Sequence, residues 1–150
     1  MNLKFSPGSL KSTILVLIQF LCIGIFAFSG KVIPQDIYLI SVLLLFLFVA
    51  AWSMFIMKFQ FNAAPDILPG VTLKRNGPYK YIRHPMYTSL FGLAIIWLIN
   101  EFSYIRLVTI IILFIDLFIK MNYEEKLLSQ KFSDYSEYKK NTKKLIPFIF

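Results

Sequence analysis

Four long apolar runs constrain this chain most, because few folds can accommodate so much apolar sequence in 150 residues. A helix needs about 20 apolar residues to cross the hydrocarbon core of a bilayer, and the first two runs have that length. The last two are shorter and flank a brief polar connection, which predicts a tight helical hairpin. The predicted spans cover residues 12–29, 37–57, 86–100 and 105–119. We therefore predict one domain, residues 1–150, that is an all-α integral membrane protein with about four transmembrane helices.

The composition agrees with a membrane protein. Hydrophobic residues make up 57% of the chain, 16 residues are Phe, and the mean hydropathy is +0.66. A soluble domain of this size rarely carries so much apolar surface. The first run could also be interpreted as a signal peptide, because basic residues precede it and small residues follow its centre. The single cysteine, Cys22, can form no intramolecular disulfide and is expected to be a small core residue.

Basic residues are concentrated in alternate connections, and the formal net charge is +8. The N-terminal segment, the loop 58–85 and the C-terminal segment are basic, whereas the other two connections are not. The positive-inside rule then places both termini and the loop on the cytoplasmic side. Residues 120–140 alternate charged and apolar residues at helical spacing, which predicts an amphipathic helix on the membrane surface, with a break near Ser133. On so apolar a chain, the excess charge indicates contact with anionic lipid and argues against nucleic acid.

The loop ends in a motif that contains the only histidine, GPYKYIRHPMY at residues 77–87. Pro85 is a good first residue for a helix, and His84 before it should be extended. The imidazole would then lie at a helix N-terminus, whose partial positive charge disfavours imidazolium, so we expect His84 to be neutral near pH 7. This geometry suits an anionic or polar ligand.

A second polar cluster, Lys120, Glu124 and Glu125, follows the fourth apolar run. Lys120 and Glu124 are four residues apart on one helix face, where an isolated ion pair contributes only about 0–1 kcal/mol. The predicted hairpin would bring this cluster close to the histidine motif. That combination favours a functional site over a simple surface ion pair.

Two more charges lie within or beside the apolar runs. Asp116 interrupts the fourth run, and a carboxylate at membrane depth is functional or paired by default, although it could also lie near the interface. Arg106 lies near the tip of the predicted hairpin and is expected to be exposed or paired with Glu101.

Several reaction classes lack their motifs in this chain. We find no glycine-rich dinucleotide or P-loop pattern, no metal-ligand spacing and no serine in a nucleophile elbow. One histidine is too few for a metalloprotease. A bound reagent that the protein positions is therefore the favoured source of the chemistry.

The motifs together resemble those of the isoprenylcysteine carboxyl methyltransferase family and of the related phospholipid N-methyltransferases. The resemblance covers about residues 68–148, roughly half of the chain. It is carried by the histidine motif, the apolar hairpin and three later elements: Glu124-Glu125-x-Leu127-Leu128-x-x-x-Phe132, Tyr135-x-x-Tyr138 and Ile146-Pro147.

The resemblance implies an integral membrane enzyme that transfers a methyl group from S-adenosyl-L-methionine to a lipid or a lipidated acceptor. The candidate catalytic residues are Arg83 and Glu125: Arg83 suits the cofactor carboxylate, and Glu125 is the candidate base if the acceptor is an amine. Lys120 occupies the position of the family's substrate-side arginine, and the acceptor would reach the site through the hairpin. The implied cofactor-binding residues are Leu73, Tyr79, His84, Pro85, Met86, Tyr87 and Glu124.

Three alternatives remain beside this interpretation. The first is phospholipid N-methylation. The second is a membrane reductase with a nicotinamide cofactor, and the third is a non-catalytic membrane protein that binds lipid or a partner. A non-catalytic protein should tolerate alanine at His84 and Glu124, whereas a methyltransferase should not.

Overall fold

The computed structural model describes residues 10–58, 64–65, 70, 72–147 and 149. These residues form five α-helices and one 3-10 turn, and no strand occurs among them. The all-α prediction is therefore confirmed. Of the predicted basic regions, residues 1–9, 59–63, 66–69 and 71 lie outside the described residues. The helices are α1 (Leu10–Phe28), α2 (Ile37–Ile56), α3 (Pro85–Asn100), α4 (Tyr104–Lys131) and α5 (Tyr135–Asn141), and the 3-10 turn is Gly77–Lys80.

Local sequence signals explain where three helices begin. The Asp36 carboxylate accepts hydrogen bonds from two main-chain N–H groups of α2, and the Ser103 hydroxyl accepts one from α4. Such caps satisfy donors that have no partner within the helix. Pro85 is the first residue of α3, as predicted, and His84 is its N-cap with φ −124° and ψ 59°. His84 is thus outside the helix but less extended than expected.

The helices pack in the spatial order α2, α3, α4, α1. α1 and α4 share a core with α3, and Cys22 lies in it at 3% exposure, as predicted for a small core residue. α2 approaches α3 closely at Gly92, where an added Cβ would lie 2.4 Å from the Phe46 ring. A side chain at residue 92 would therefore require the Phe46 ring to move. The buried core residues are Cys22, Phe26, Ala94, Ile110, Leu113 and Leu117.

Two described helices, α1 and α2, are long and apolar enough to cross a membrane, and α3 is a shorter apolar helix. α2 is apolar on all sides and buries only Ser53 within the protein. Its outward side chains include Leu44 at 58% exposure and Phe48 at 61%. An exposed apolar surface of this extent marks a contact with lipid or with another protein.

α4 differs from its prediction in length. It runs without interruption for 28 residues, about 42 Å at the usual rise, through the predicted boundary between residues 119 and 120. The predicted segment 120–140 is therefore divided between α4 and α5, with the break at residues 132–134. No proline or glycine occurs within α4, so nothing ends the helix where the apolar run ends.

Arg106 is fully buried, and the expectation that it is exposed is wrong. It lies at the end of the bundle where α1 and α3 end and α4 begins. It contacts Glu101 through the main-chain carbonyl, at 3.1 Å, and forms no ion pair within the described residues. Its guanidinium also donates to the Ser29 hydroxyl and to the carbonyls of Trp97, Lys31 and Phe26.

Candidate functional site

The histidine motif lies at the opposite end of the bundle and is held by the C-terminal segment. Ile82 and Lys143 form an isolated parallel bridge. The Arg83 N–H donates to the Lys143 carbonyl at 2.8 Å, and the Lys143 N–H donates to the Tyr81 carbonyl at 3.0 Å. The His84 N–H donates to the Lys144 carbonyl at 3.2 Å, so main-chain bonds fix the residues that precede α3.

Arg83 of the motif and Glu125 of α4 form a buried ion pair. Arg83 Nε lies 2.8 Å from Glu125 Oε1, and the two side chains are 7% and 5% exposed. Lys139 Nζ lies 2.9 Å from the other carboxylate oxygen, Oε2. His84 Nε2 lies 3.3 Å from Oε1. The structure thus joins the two clusters that the sequence identified separately.

His84 lies between the two adjacent carboxylates of α4. Its Nδ1 is 3.7 Å from Glu124 Oε2, on the opposite side of the ring from Glu125. The Tyr87 hydroxyl donates to Glu124 Oε2 at 3.3 Å. The rings of His84 and Tyr87 are stacked, with centroids 5.6 Å apart and planes 19° apart. These contacts place two stacked aromatic rings beside a partly exposed carboxylate.

The surroundings change the acidity of the groups around this pair. Burial alone would raise the pKa of Glu125, but hydrogen bonds from His84, Arg83 and Lys139 outweigh it and hold that pKa below the usual glutamate range. Burial raises the pKa of Tyr79, and the charge of Glu124 raises it further. Burial likewise raises the pKa of Tyr138 to about 12. Near neutral pH, Glu125 is therefore ionised and both phenols are protonated.

A cleft of about 270 Å³ opens beside His84. All predicted cofactor-binding residues except Leu73 line it, and so does Arg83. Leu73, Glu125 and Lys120 are not part of its wall. The lining residues are Gln19, Phe20, Ile23, Met57, Tyr79, Arg83, His84, Pro85, Met86, Tyr87, Leu90 and Glu124.

The sequence did not indicate the wall that α1 and the end of α2 contribute. Gln19, Phe20 and Ile23 of α1 line the cleft, together with Met57 at the C-terminal end of α2. These residues lie in apolar runs for which the sequence predicts membrane spans and no other role. Gln19 was the one available signal, since a polar residue inside a span commonly faces the protein interior.

Lys120 lies next to the cleft and is fully buried. Its Nζ donates to the Gln19 side-chain oxygen and lies 5.9 Å from the centroid of the Tyr87 ring. Asp116, one turn earlier on α4, is 3% exposed, and neither carboxylate oxygen has a hydrogen-bond partner within the described residues. Lys120 contacts α1 through Gln19, and it forms no ion pair with Glu124 within the described residues.

Comparison with protein families identifies a match over more than half of the chain. The sequence model of the isoprenylcysteine carboxyl methyltransferase (ICMT) family matches residues 38–130. This segment contains the histidine motif and the adjacent carboxylates Glu124 and Glu125 of α4. No curated protein and no solved structure matches the chain.

Proposed function

The chain belongs to the isoprenylcysteine carboxyl methyltransferase family, and we propose that it uses S-adenosylmethionine to methylate a lipid or lipidated acceptor at the cytoplasmic membrane face. The family is one of methyltransferases, and with two long apolar helices the chain is an integral membrane protein. We further propose that α1 to α4 all cross the bilayer, as parts of one domain. Both termini would then be cytoplasmic, together with the cleft.

The observation that carries this proposal is the cleft, because its wall combines the groups that S-adenosylmethionine requires. The cofactor presents a carboxylate, an ammonium group, ribose hydroxyls, an adenine ring and a sulfonium. Glu124, whose side chain is 32% exposed, suits the ammonium or the ribose. The rings of Tyr79 and Tyr87 suit the adenine and, by cation–π attraction, the sulfonium. When bound, the cofactor supplies the methyl group.

The protein's share of this chemistry is to position the reactants and exclude water. Methyl transfer is an in-line displacement, so holding donor and acceptor in contact lowers much of the barrier. His84 is buried between Glu124 and Glu125, and this contact fixes its ring against Tyr87. The fixed rings of His84 and Tyr87 would orient the cofactor. The displacement itself requires no nucleophile from the protein.

For Arg83 and Glu125 we propose positioning in place of the catalytic roles predicted from the sequence. Arg83 is engaged by Glu125 and by the carbonyls of Lys139 and Thr142. Glu125 is bonded on both oxygens, and its lowered pKa makes it a weak proton acceptor. The pair would therefore hold His84 in place.

The acceptor would contact the wall that α1 contributes. Phe20 and Ile23 offer an apolar surface for a lipid chain, and Lys120 provides a cation beyond them. A lysine binds an anionic group as a point charge, without the two-pronged geometry of arginine. Because the cleft lies beside α1 and α2, we propose access from that side of the bundle instead of through the α3–α4 hairpin.

Calorimetry of S-adenosylmethionine binding to the detergent-purified protein tests the proposal. We expect micromolar affinity that His84→Ala and Glu124→Ala abolish. Glu137→Ala is the matched control, because Glu137 is an exposed carboxylate on α5 and should bind like the wild type. A folded wild-type protein that binds no S-adenosylmethionine would overturn the proposal, and a nicotinamide cofactor would be tried next.

A further inference from the structure

Residues 135–145, the C-terminal clamp, lie beyond the segment that matches the family model. They nevertheless contact the loop of residues 77–84, which lines the cleft, at several points. We propose that Tyr138 and Thr142 are positioning residues through which this clamp fixes the loop for cofactor binding. The inference rests on the proposed function, because the loop carries the residues assigned to S-adenosylmethionine.

The Tyr138 hydroxyl makes the most direct contact. It donates to the Tyr79 carbonyl at 2.7 Å, and Tyr138 is 6% exposed. Tyr79 itself lines the cleft. The carbonyl lies in the 3-10 turn that begins at Gly77, which adopts a positive φ of 56°. A buried hydrogen bond at this point restricts the turn from the side of α5.

Thr142 connects this contact to the ion pair. Its hydroxyl donates to the Tyr138 carbonyl at 2.6 Å, and its own carbonyl accepts a hydrogen bond from Arg83 Nη1. Arg83 in turn is paired with Glu125, next to His84. Thr142 therefore restrains both the end of α5 and the Nη1 group of Arg83.

The clamp also reaches the start of α3. The Thr88 hydroxyl donates to the Leu145 carbonyl at 2.8 Å and to the His84 carbonyl at 3.1 Å. Together with the bridge between Ile82 and Lys143, these bonds fix the loop both before and after His84. A loop fixed in advance loses less entropy when the ligand binds, which favours affinity.

The chain contains its own control for the Tyr138 hydroxyl. Tyr135 is also a buried tyrosine on α5, at 1% exposure, and its ring lies 5.9 Å from that of Tyr138. Its hydroxyl has no hydrogen-bond partner within the described residues. Replacing either tyrosine with phenylalanine removes one oxygen from the same helix, but only one of the two removes a contact with the loop.

The experiment measures S-adenosylmethionine affinity, thermal stability and amide hydrogen exchange for the wild type, Tyr138→Phe and Tyr135→Phe. We expect Tyr138→Phe to raise Kd about fivefold, the effect of one lost hydrogen bond, with faster exchange in residues 77–84. Tyr135→Phe should change neither. Thr142→Val serves as a second variant if Tyr138→Phe does not fold, and it should raise Kd in the same direction.

The outcomes separate this inference from the proposed function. A wild type that binds no S-adenosylmethionine contradicts the function, while hydrogen exchange still reports on the clamp without ligand. Equal Kd values for Tyr138→Phe and Tyr135→Phe, in a wild type that binds, overturn the positioning role. A merely structural contact would lower the melting temperature and leave the Kd of the folded protein unchanged.

Discussion

Two buried arginines stand at opposite ends of the bundle, and their partners differ in kind. The Arg106 side chain meets carbonyl and hydroxyl oxygens where α1, α3 and α4 come together. The Arg83 side chain meets a carboxylate, Glu125, which is shared with His84 and Lys139. Arg106 is fully buried, and the side chain of Arg83 is 7% exposed.

The difference shows that burial of a charge does not by itself mark a site. Arg106 donates hydrogen bonds to main-chain carbonyls that have no partner within their own helices. This role requires several N–H donors in a fixed geometry and no exchange of a proton. Arg83 belongs to a network of ionisable side chains beside a cleft. Titratable neighbours and an adjacent cavity are therefore what distinguish the functional end from the structural one.

Replacement of Arg106 with methionine should have the largest effect on stability. The carbonyls of Trp97 and Glu101 would lose their donor, and we expect a cost of about 4 kcal/mol. Thermal unfolding in detergent measures it, with Lys126→Met as an exposed control on the same helix. The remaining folded protein should bind S-adenosylmethionine with unchanged Kd. If Arg106→Met were as stable as the wild type, Arg106 would not stabilise the helix ends as we propose.

Replacement of Arg83 with methionine should affect both stability and binding. Glu125 would keep only Lys139 and His84 as partners, at a cost of about 3 kcal/mol. Because the guanidinium also fixes the loop, we expect Kd for S-adenosylmethionine to rise at least about tenfold. Calorimetry beside thermal unfolding separates the two effects. If Arg83→Met binds like Arg106→Met, the two ends do not differ as we propose.

The sequence predicted the helices well because apolar runs and terminal signals are local. The predicted spans 12–29, 37–57 and 86–100 each agree with the observed helices within two residues at either end. The short connection before α4 was enough to predict that Glu124 approaches His84. These features depend on residues that are close in the chain.

The remainder depends on partners that are distant in the chain. Gln19 meets Lys120 across 101 residues, and Tyr138 meets Tyr79 across 59. Arg106 was misjudged because its partners are mostly main-chain carbonyls, which leave no signal in the amino-acid types. The α1 wall and the clamp could therefore be found only from the packed structure.

Replacement of Glu125 with glutamine should flatten the dependence of stability on pH. The pKa of Glu125 is lower in the folded protein than its ordinary value of about 4.3, so the folded state binds fewer protons in acid than the unfolded state. The stabilisation that Glu125 contributes is fully present above its ordinary pKa of about 4.3, and it is lost as the pH falls through that value toward the lower pKa of the folded protein. Melting temperatures between pH 3 and 7 should fall less steeply for Glu125→Gln. Equal slopes would show that Glu125 carries no such linkage.

A third arginine, Arg75, gives the smallest expected effect. It pairs with Asp134, and the two side chains are 41% and 55% exposed. Exposed pairs are screened and contribute about 0–1 kcal/mol, so Asp134→Asn should change the free energy of unfolding by less than about 1 kcal/mol. That small change should vanish in 1 M salt, whereas the Arg83→Met loss should persist because the buried pair is poorly screened. Unfolding of both variants at low and high salt measures this. If the two losses respond alike to salt, burial does not separate these arginines, and the contrast must rest on their partners alone.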